Sequence, residues 1–269
     1  MLAGMTEEPL AGGMGNRGEV LRAGDTVRRP VGDHFPAVSL LLEHLARRGF
    51  PAPVPTGRDE EGRQTFRWID GDVPLSPYPE WSLTDDALAT VGSLLRRYHD
   101  AVRSFSPAPH LHWSDELADP QGGPIICHND VCPENVVFRG GGAVALLDFD
   151  FAAPGRPIWD LAQTARMWIP LRPPELSGER AHLDPFRRLA LLAHSYGLES
   201  GEHRPLVEAI ITSKRLGTSF VERRVSAGEP AFVEVWEQRG GKAGDDRLIA
   251  WLEENREAFL RAVRTTLKS

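Results

Sequence analysis

The spacing of apolar and polar residues predicts strands in the first part of the chain and helices in most of the rest. Two short strands, residues 19–22 and 26–29, flank a tight turn, and residues 63–69 form another strand. Between these strands, apolar residues recur at helical spacing over residues 36–48, and Gly49 ends that helix. The pattern therefore predicts a small lobe that is rich in strands.

The chain after residue 70 has mainly helical spacing. A helix begins at Thr84, and its apolar stripe consists of Leu88, Val91, Leu95, Tyr98 and Val102. Short strands are predicted at residues 124–127, 136–138 and 143–147, and helices near residues 158–168, 184–196, 203–225 and 244–266. The prediction is an α+β protein of two lobes, residues 1–70 and residues 71–269, the second being mostly helical.

Composition limits the classes to which the protein can belong. Of its 269 residues, 41% are hydrophobic and 26% are charged, which is ordinary for a soluble globular protein. The net charge of −7 argues against a nucleic-acid partner and is compatible with a cationic substrate. The acidic N-terminal segment and the lack of a long apolar run predict neither a secretory signal nor a membrane span. Two cysteines make no disulfide framework, which favours a reducing, cytoplasmic location.

The strongest candidate chemistry lies in the segment CHNDVCPENVVF, residues 127–138. Asp130 is on a predicted loop, where its carboxylate can accept the proton of an incoming hydroxyl group or orient that group for attack. His128 is the second catalytic-loop candidate, and holding the backbone in place is favoured for it over general-base catalysis. A zinc site formed by His128, Cys127 and Cys132 is an alternative, but their spacing matches no familiar structural zinc pattern.

Oxygen ligands for a magnesium ion follow in the same region. Asn135 offers an amide oxygen, and Asp148 offers a carboxylate at the end of an apolar strand. Magnesium prefers such hard oxygen ligands and takes the rest of its coordination from water and nucleotide phosphates. Asp150 either serves a second ion or stays exposed. The sequence thus predicts a magnesium-dependent phosphoryl transfer.

A glycine run upstream is the candidate for binding the phosphates of the nucleotide. Its residues are Gly13, Gly15, Asn16 and Gly18. The same spacing occurs in dinucleotide-binding folds, but those need a helix directly after the run. A hairpin is predicted there instead, which is typical of a glycine-rich loop over ATP phosphates and leaves a dehydrogenase disfavoured.

Taken together, these motifs resemble those of the aminoglycoside phosphotransferase and choline-kinase-like family, relatives of the protein kinases. The resemblance rests on the catalytic loop, on Asp148-Phe149-Asp150, on Asp160 in the segment WDLA and on residues 95–100, and it extends to about residue 165. It implies a kinase-like fold with a small antiparallel sheet, ATP or GTP as donor between the lobes, and a small-molecule hydroxyl group as acceptor. Asp160 is expected to support the catalytic loop.

Three positions depart from the family pattern. The nucleotide-binding lysine of the family corresponds to Arg28, with Arg29 as the neighbouring candidate. The helical glutamate that pairs with that lysine corresponds to Val38, and Asn129 replaces a common glycine of the loop. The leading hypothesis is a small-molecule kinase. The alternative is a nucleotide-binding protein that retains the fold but has little or no turnover.

The sequence does not identify the acceptor or the oligomeric state. Six acidic residues fall in the region where family members bind their acceptors, and a solvated helix face is the favoured interpretation of them. They are Glu234, Glu237, Asp245, Asp246, Glu253 and Glu254. Trp236 and Trp251 could stack on a sugar or an amine, and both fit helix packing equally well.

Overall fold

The computed structural model describes residues 6–12 and 18–265. Its first part is an antiparallel sheet of five strands in the order β1-β2-β3-β5-β4. The strands are β1 (Glu8–Pro9), β2 (Leu21–Ala23), β3 (Thr26–Arg29), β4 (Pro55–Arg58) and β5 (Gln64–Arg67). One helix, α1 (Phe35–Arg47), lies between β3 and β4 in the chain. The small strand-rich lobe predicted from the sequence is therefore present.

The rest of the chain is mainly helical. It contains α2 (Asp85–Val102), α3 (Pro157–Trp168), α4 (Pro185–Tyr196), α5 (His203–Ser226), α6 (Pro230–Gln238), α7 (Gly241–Glu254) and α8 (Arg256–Arg264). Two small antiparallel pairs join them: β6 (Ile125–Cys127) with β9 (Ala153–Gly155), and β7 (Val136–Arg139) with β8 (Gly142–Leu146). Helices and an antiparallel sheet in this order confirm the predicted α+β, kinase-like fold.

Helix α2 is the central element of the helical lobe. It begins where the sequence predicts, because Thr84 accepts a hydrogen bond from the backbone N–H of Ala87 at 3.1 Å. Its apolar stripe is fully buried. At Gly92 the helix approaches α4 so closely that an added Cβ would lie 2.3 Å from Ser195 Oγ. These contacts fix α2 beneath the β7–β8 pair and beside α4.

The bounds of two helices differ from the sequence predictions. Helix α1 begins at Phe35 and not at residue 36, and His34 precedes it without forming a side-chain capping hydrogen bond. The single helix predicted over residues 244–266 is divided into α7 and α8 at Asn255, whose side-chain amide donates to the Trp251 carbonyl at 2.9 Å. A side chain that bonds to the preceding turn competes with helix continuation. Helix α6 was not predicted.

None of the helices in residues 6–12 and 18–265 has the length and apolar character needed to cross a membrane.

Candidate active site

The loop between β6 and β7 is held by backbone hydrogen bonds to the ring of His128. Nε2 of that ring donates to the Leu147 carbonyl at 2.8 Å, and Nδ1 accepts from the backbone N–H of Asp130 at 3.3 Å. Burial lowers the pKa of His128, so the ring is neutral and both nitrogens are engaged with the backbone. This geometry gives His128 a positioning role, and leaves no ring nitrogen free to remove a proton.

Asp160 ties the same loop to helix α3. Its carboxylate accepts from the backbone N–H groups of His128 at 2.7 Å and Asn129 at 2.8 Å, and it pairs with His99 Nε2 at 3.0 Å. Burial alone would raise the pKa of Asp160, but the hydrogen bond from His99 and the surrounding charges lower it below its ordinary value. Asp160 is therefore an ionised, fully buried support for the loop.

Asn129 makes the turn that presents Asp130. Its φ of 66° lies in the left-handed region, which asparagine tolerates better than most residues. The side-chain amide of Asn129 donates to the Phe151 carbonyl at 2.9 Å, which anchors this turn. The asparagine that replaces the family's glycine thus keeps the loop conformation and adds one hydrogen bond.

Asp130 and Asn135 lie side by side in this loop. The Asn135 amide nitrogen donates both to the backbone carbonyl and to the carboxylate of Asp130, each at 2.9 Å. Burial raises the pKa of Asp130 to about 7, with the charges of Asp148 and Glu134 acting in the same direction. A carboxylate that titrates near neutral pH is suited to accept a proton from a hydroxyl group.

Asp148 follows β8 and enters the site with an unusual backbone conformation. Its φ is 56°, and the preceding Leu147 N–H donates to the Asn135 carbonyl at 2.8 Å, which holds the two residues together. Arg29 Nη1 reaches Asp148 Oδ1 at 3.2 Å, and Arg29 Nη2 forms an ion pair with Asp150. Burial would lower the pKa of Arg29, but the charges of both carboxylates raise it.

The structure turns Arg28 away from this site. Arg28 pairs with Glu7 and with Asp59, and only the neighbouring Arg29 reaches the carboxylates that border the cleft. Successive side chains of a strand point to opposite faces, so a shift of one residue along β3 decides which arginine enters the cleft. Of the two candidates, Arg29 and not Arg28 therefore borders the cleft.

A cleft of about 360 Å³ lies between the sheet and the β7–β8 region. Its apolar wall includes Val38, which stands where the family has a glutamate. Its polar lining includes Arg29, Asn135, Asp148 and Asp150. Gly13, Gly15 and Asn16 of the glycine run lie outside the described residues. Gly18 follows them with a φ of 81°, a conformation that favours glycine.

The donors around Asp148 fit a magnesium ion. Because the Asn135 nitrogen is used by Asp130, the amide oxygen remains as a neutral ligand, and Asp148 adds a carboxylate at the same cleft. Cys127, which the zinc alternative would need as a ligand, is buried, and its Sγ donates to the Arg156 carbonyl at 3.3 Å.

Most of the acidic residues predicted near the acceptor are neutralised by neighbouring cations or lie on exposed helix faces. Asp245 is buried and pairs with Lys214 at 2.7 Å. Glu253 pairs with Arg215, and Asp246 with Lys242 at 3.1 Å. Trp251 packs against Phe186 and Phe259 in the helical lobe. These contacts offer little negative charge for a cationic substrate.

Comparison with known proteins agrees with the geometry. The sequence profile of the phosphotransferase enzyme family matches residues 110–192. The trifolitoxin immunity protein of Rhizobium leguminosarum bv. trifolii is 32% identical over 240 residues, which cover 84% of this chain and 90% of that protein. The chain belongs to the phosphotransferase enzyme family. A homoserine kinase of Beijerinckia indica subsp. indica is 28% identical over 170 residues, 48% of this chain and 51% of that kinase.

Solved structures of other proteins share the fold. A choline/ethanolamine kinase family protein of Mesorhizobium loti superposes with a TM-score of 0.63 at 19% identity, covering 97% of this chain and 94% of that one. The GDP complex of aminoglycoside 2'-phosphotransferase-IIIa gives a TM-score of 0.58 at 14% identity, with 95% and 94% covered. The predictions of a kinase-like fold and of a phosphotransferase enzyme are confirmed at the level of the family.

Proposed function

We propose that the protein is a magnesium-dependent phosphotransferase that moves the γ-phosphate of ATP or GTP to a hydroxyl group of a small molecule. The observation that carries this proposal is the placement of Asp130 beside Asn135, which in turn lies beside Asp148 at the edge of the cleft. A proton acceptor and two oxygen ligands so arranged match the requirements of phosphoryl transfer. The homoserine and aminopropanol kinases among its relatives and structural neighbours support an alcohol acceptor.

In this proposal residues 1–70 bind the nucleotide, and residues 71–269 supply the catalytic loop and bind the acceptor. Arg29 contacts the phosphates, and Gly13, Gly15, Asn16 and Gly18 cover them. Asn135 and Asp148, with Asp150 as a further carboxylate, hold magnesium, which when bound neutralises charge on the phosphates. The GDP bound to a structural neighbour supports guanine as well as adenine nucleotides. Two buried free cysteines support a reducing, cytoplasmic location.

The transfer itself requires one proton acceptor. Asp130 orients the acceptor hydroxyl and takes its proton while the hydroxyl oxygen bonds to the γ-phosphorus. The bond from that phosphorus to the β–γ bridging oxygen breaks, and the nucleoside diphosphate leaves with the electron pair. His128 and Asp160 take no part in the proton transfer, since they hold the loop through backbone groups.

The test is a phosphorylation assay with magnesium and either nucleotide against aminoglycosides, macrolides, nucleosides, amino alcohols and hydroxy amino acids. For the acceptor that is turned over, Asp130→Asn is expected to lower kcat by about 10³-fold, within the range for removal of a general base. Asp100→Asn, which removes an exposed carboxylate of α2, is the matched control and should keep full activity. Equal turnover by Asp130→Asn and the parent protein would falsify the role of Asp130.

A second candidate function is nucleotide binding with little turnover. Two observations favour it. Val38 stands where the family has a helical glutamate that would pair with the basic residue of the cleft. Arg29 is instead paired with both Asp148 and Asp150. A ligand that binds only the folded state raises its apparent stability. A rise in Tm with nucleotide and magnesium, together with no phosphorylation of any acceptor in the panel, would establish this alternative.

A further inference from the structure

A group of basic residues lies next to Asp130 in the helical lobe, and none of its members lines the nucleotide cleft. We call it the arginine cluster; it consists of Arg166, Arg172, Arg180, Arg239 and Lys214. These residues come from α3, the segment after it, the end of α6 and the middle of α5. The fold therefore brings together cations from four separate parts of the chain.

Specific contacts hold the cluster in place. The Arg166 guanidinium packs on Gly217 of α5, where an added Cβ would lie 2.4 Å from its Nη2, and it also donates to Gln163. Arg180 Nη1 donates to the Met167 carbonyl at 3.1 Å, and its guanidinium lies 5.6 Å from the ring centroid of Tyr78. Glycine at position 217 thus leaves the space that the Arg166 side chain occupies.

Tyr78 connects the cluster to the catalytic loop. Its hydroxyl group donates to Glu134 Oε1 at 3.1 Å, and Glu134 immediately precedes Asn135. Trp168, two residues after Arg166, donates from its Nε1 to the Val131 carbonyl at 2.8 Å, and Val131 follows Asp130 directly. The end of α3, which carries Arg166, therefore lies beside the loop that is proposed to bind the acceptor hydroxyl.

The cations of the cluster act on one another. Burial and the charges of Arg239 and Arg172 together lower the pKa of Arg166 to about 10, against the opposing charges of Asp245 and Asp130. Burial and the charges of Arg180 and Arg239 likewise lower the pKa of Arg172 to about 10, against the charge of Asp245. An anion placed among these cations would offset their positive charge.

The arginines of the cluster also lack acidic partners. Within residues 6–12 and 18–265, none of the four forms an ion pair with a carboxylate, whereas Asp245 is paired with Lys214. Arg166, Arg172 and Arg180 are half-buried, and other half-buried arginines are paired, as Arg156 is with Asp119 and Arg63 with Glu7. Guanidinium groups bind carboxylates and phosphates through two parallel hydrogen bonds, so an unpaired group of them is suited to an anionic ligand.

On the basis of the proposed phosphotransfer, we propose that the acceptor carries a carboxylate close to its reacting hydroxyl group, and that Arg166, Arg172 and Arg239 bind this carboxylate. The acceptor class is then small hydroxy acids or hydroxy amino acids. A polycationic acceptor such as an aminoglycoside would place its amines against five cations. An acceptor that carries a phosphate group shares the anionic chemistry and is distinguished by the test.

The test compares alcohols that differ only in the carboxylate: L-serine with ethanolamine, and L-homoserine with 3-aminopropan-1-ol. Binding is measured by isothermal titration and thermal shift without nucleotide, so that the result does not depend on turnover. Inorganic phosphate forms a separate arm. The carboxylated member of at least one pair is expected to bind at least about 10-fold more tightly than its partner, the effect of one charged bidentate contact.

Variants locate the binding site. Arg172→Gln/Arg239→Gln is expected to abolish the difference between the members of that pair. The control is Arg47→Gln/Arg204→Gln, which changes the net charge equally at two exposed arginines that pair with Glu43 and Glu257. This control should preserve the difference in affinity between the two compounds. Circular dichroism and Tm confirm that both variants are folded. Gly217→Ala, which displaces Arg166, should weaken binding in the same way as the first variant.

Three results would overturn the proposal: no carboxylated compound binds more tightly than its partner, the difference survives Arg172→Gln/Arg239→Gln, or phosphate binds while the carboxylates do not. The last result would indicate a phosphorylated acceptor. Binding of nucleotide with magnesium is measured in parallel. A protein that selects carboxylates but neither binds nor turns over a nucleotide would retain the anion site and lose the phosphotransferase function, so the two failures are distinguishable.

Discussion

Arg29, on the nucleotide side of the catalytic loop, is held by two carboxylates, whereas the arginines on the other side have no carboxylate partner among residues 6–12 and 18–265. Arg29 is thus engaged by two carboxylates before any ligand binds, and an incoming phosphate must exchange with an existing ion pair. The other side has excess positive charge that only a ligand can neutralise. The comparison indicates that donor and acceptor are recognised by different means, although both meet at Asp130.

Among the variants that compare the two sides, the largest effect is expected from Asp160→Asn, because Asp160 supports the loop that both sides share. The substitution removes the charge that the backbone N–H groups of His128 and Asn129 and the ring of His99 surround. We expect kcat to fall by about 10²-fold or more through misplacement of Asp130. We expect the free energy of unfolding to fall by about 3 kcal/mol, as when one partner of a buried ion pair is removed.

Two measurements separate the roles of Asp160. Urea unfolding gives the change in stability, and steady-state kinetics give the change in kcat at a temperature where the variant is fully folded. The pKa of Asp160 is lowered in the folded protein, so its contribution to stability is present above the unfolded pKa of about 4 and is lost as the pH falls through the folded value. A stable variant with parental kcat would contradict the positioning role.

Arg29→Gln and Arg28→Gln test the nucleotide side by changing two neighbouring arginines, of which only Arg29 borders the cleft. Arg29→Gln removes the cation of the cleft and leaves Asp148 and Asp150 to repel each other, so we expect the Kd for nucleotide with magnesium to rise by about 10-fold to 100-fold. Arg28→Gln loses only the pairing with Glu7 and Asp59 and should leave this Kd unchanged. Titration calorimetry measures both, and equal weakening would place Arg28 in the cleft as well.

These neighbouring arginines show what the sequence can and cannot predict. Local signals predict local structure, which is why Thr84 begins α2 and Gly49 follows α1 as expected. The face on which a strand residue lies depends on the register of β3 against β5, and a shift of one residue exchanges Arg28 and Arg29. The sequence restricts the choice to two adjacent residues, and pairing between strands decides it.

The arginine cluster was missed for a different reason. Arg166 and Arg239 are separated by more than 70 residues, and no motif connects them. Acidic residues of the same region drew attention in the sequence, whereas the structure pairs Asp245 and Glu253 with neighbouring cations. The catalytic loop could be predicted because its residues are contiguous. The arginine cluster could not, because it is assembled from several helices whose packing the pattern does not determine.

The pH dependence of catalysis tests whether both sides act on Asp130. Burial raises its pKa to about 7, so kcat/KM should rise with pH to a plateau above that value and fall about tenfold for each unit below it. Arg166→Gln removes a positive charge that lowers the pKa of Asp130. The midpoint of the pH profile of this variant should therefore lie at higher pH than that of the parent protein, even if its maximal kcat/KM also changes. A pH profile from 5 to 9 in constant ionic strength measures both midpoints. An unchanged midpoint would show that the charge of Arg166 does not act on Asp130.

The smallest effect is expected from Asp245→Asn, which removes the acid that pairs with Lys214 of the cluster. Asp245 pairs with Lys214 at 2.7 Å and accepts from Thr218 Oγ1 at 2.6 Å. Burial lowers the pKa of Lys214 to about 8, and loss of Asp245 would lower it further. We expect the free energy of unfolding to fall by about 2 kcal/mol, since a buried ammonium group loses its partner.

The same variant should affect ligand binding in the opposite direction. Removing a negative charge next to the arginines should strengthen binding of the carboxylated alcohol by about 2-fold to 5-fold, a modest change because Lys214 loses part of its charge at neutral pH. Asp246→Asn is the matched control, since that neighbouring side chain is exposed and pairs only with Lys242. If Asp245→Asn instead weakened binding, Asp245 would have to hold Lys214 in a position that the ligand requires. The acceptor side would then depend on an existing ion pair, as the nucleotide side does, and the contrast between them would be lost.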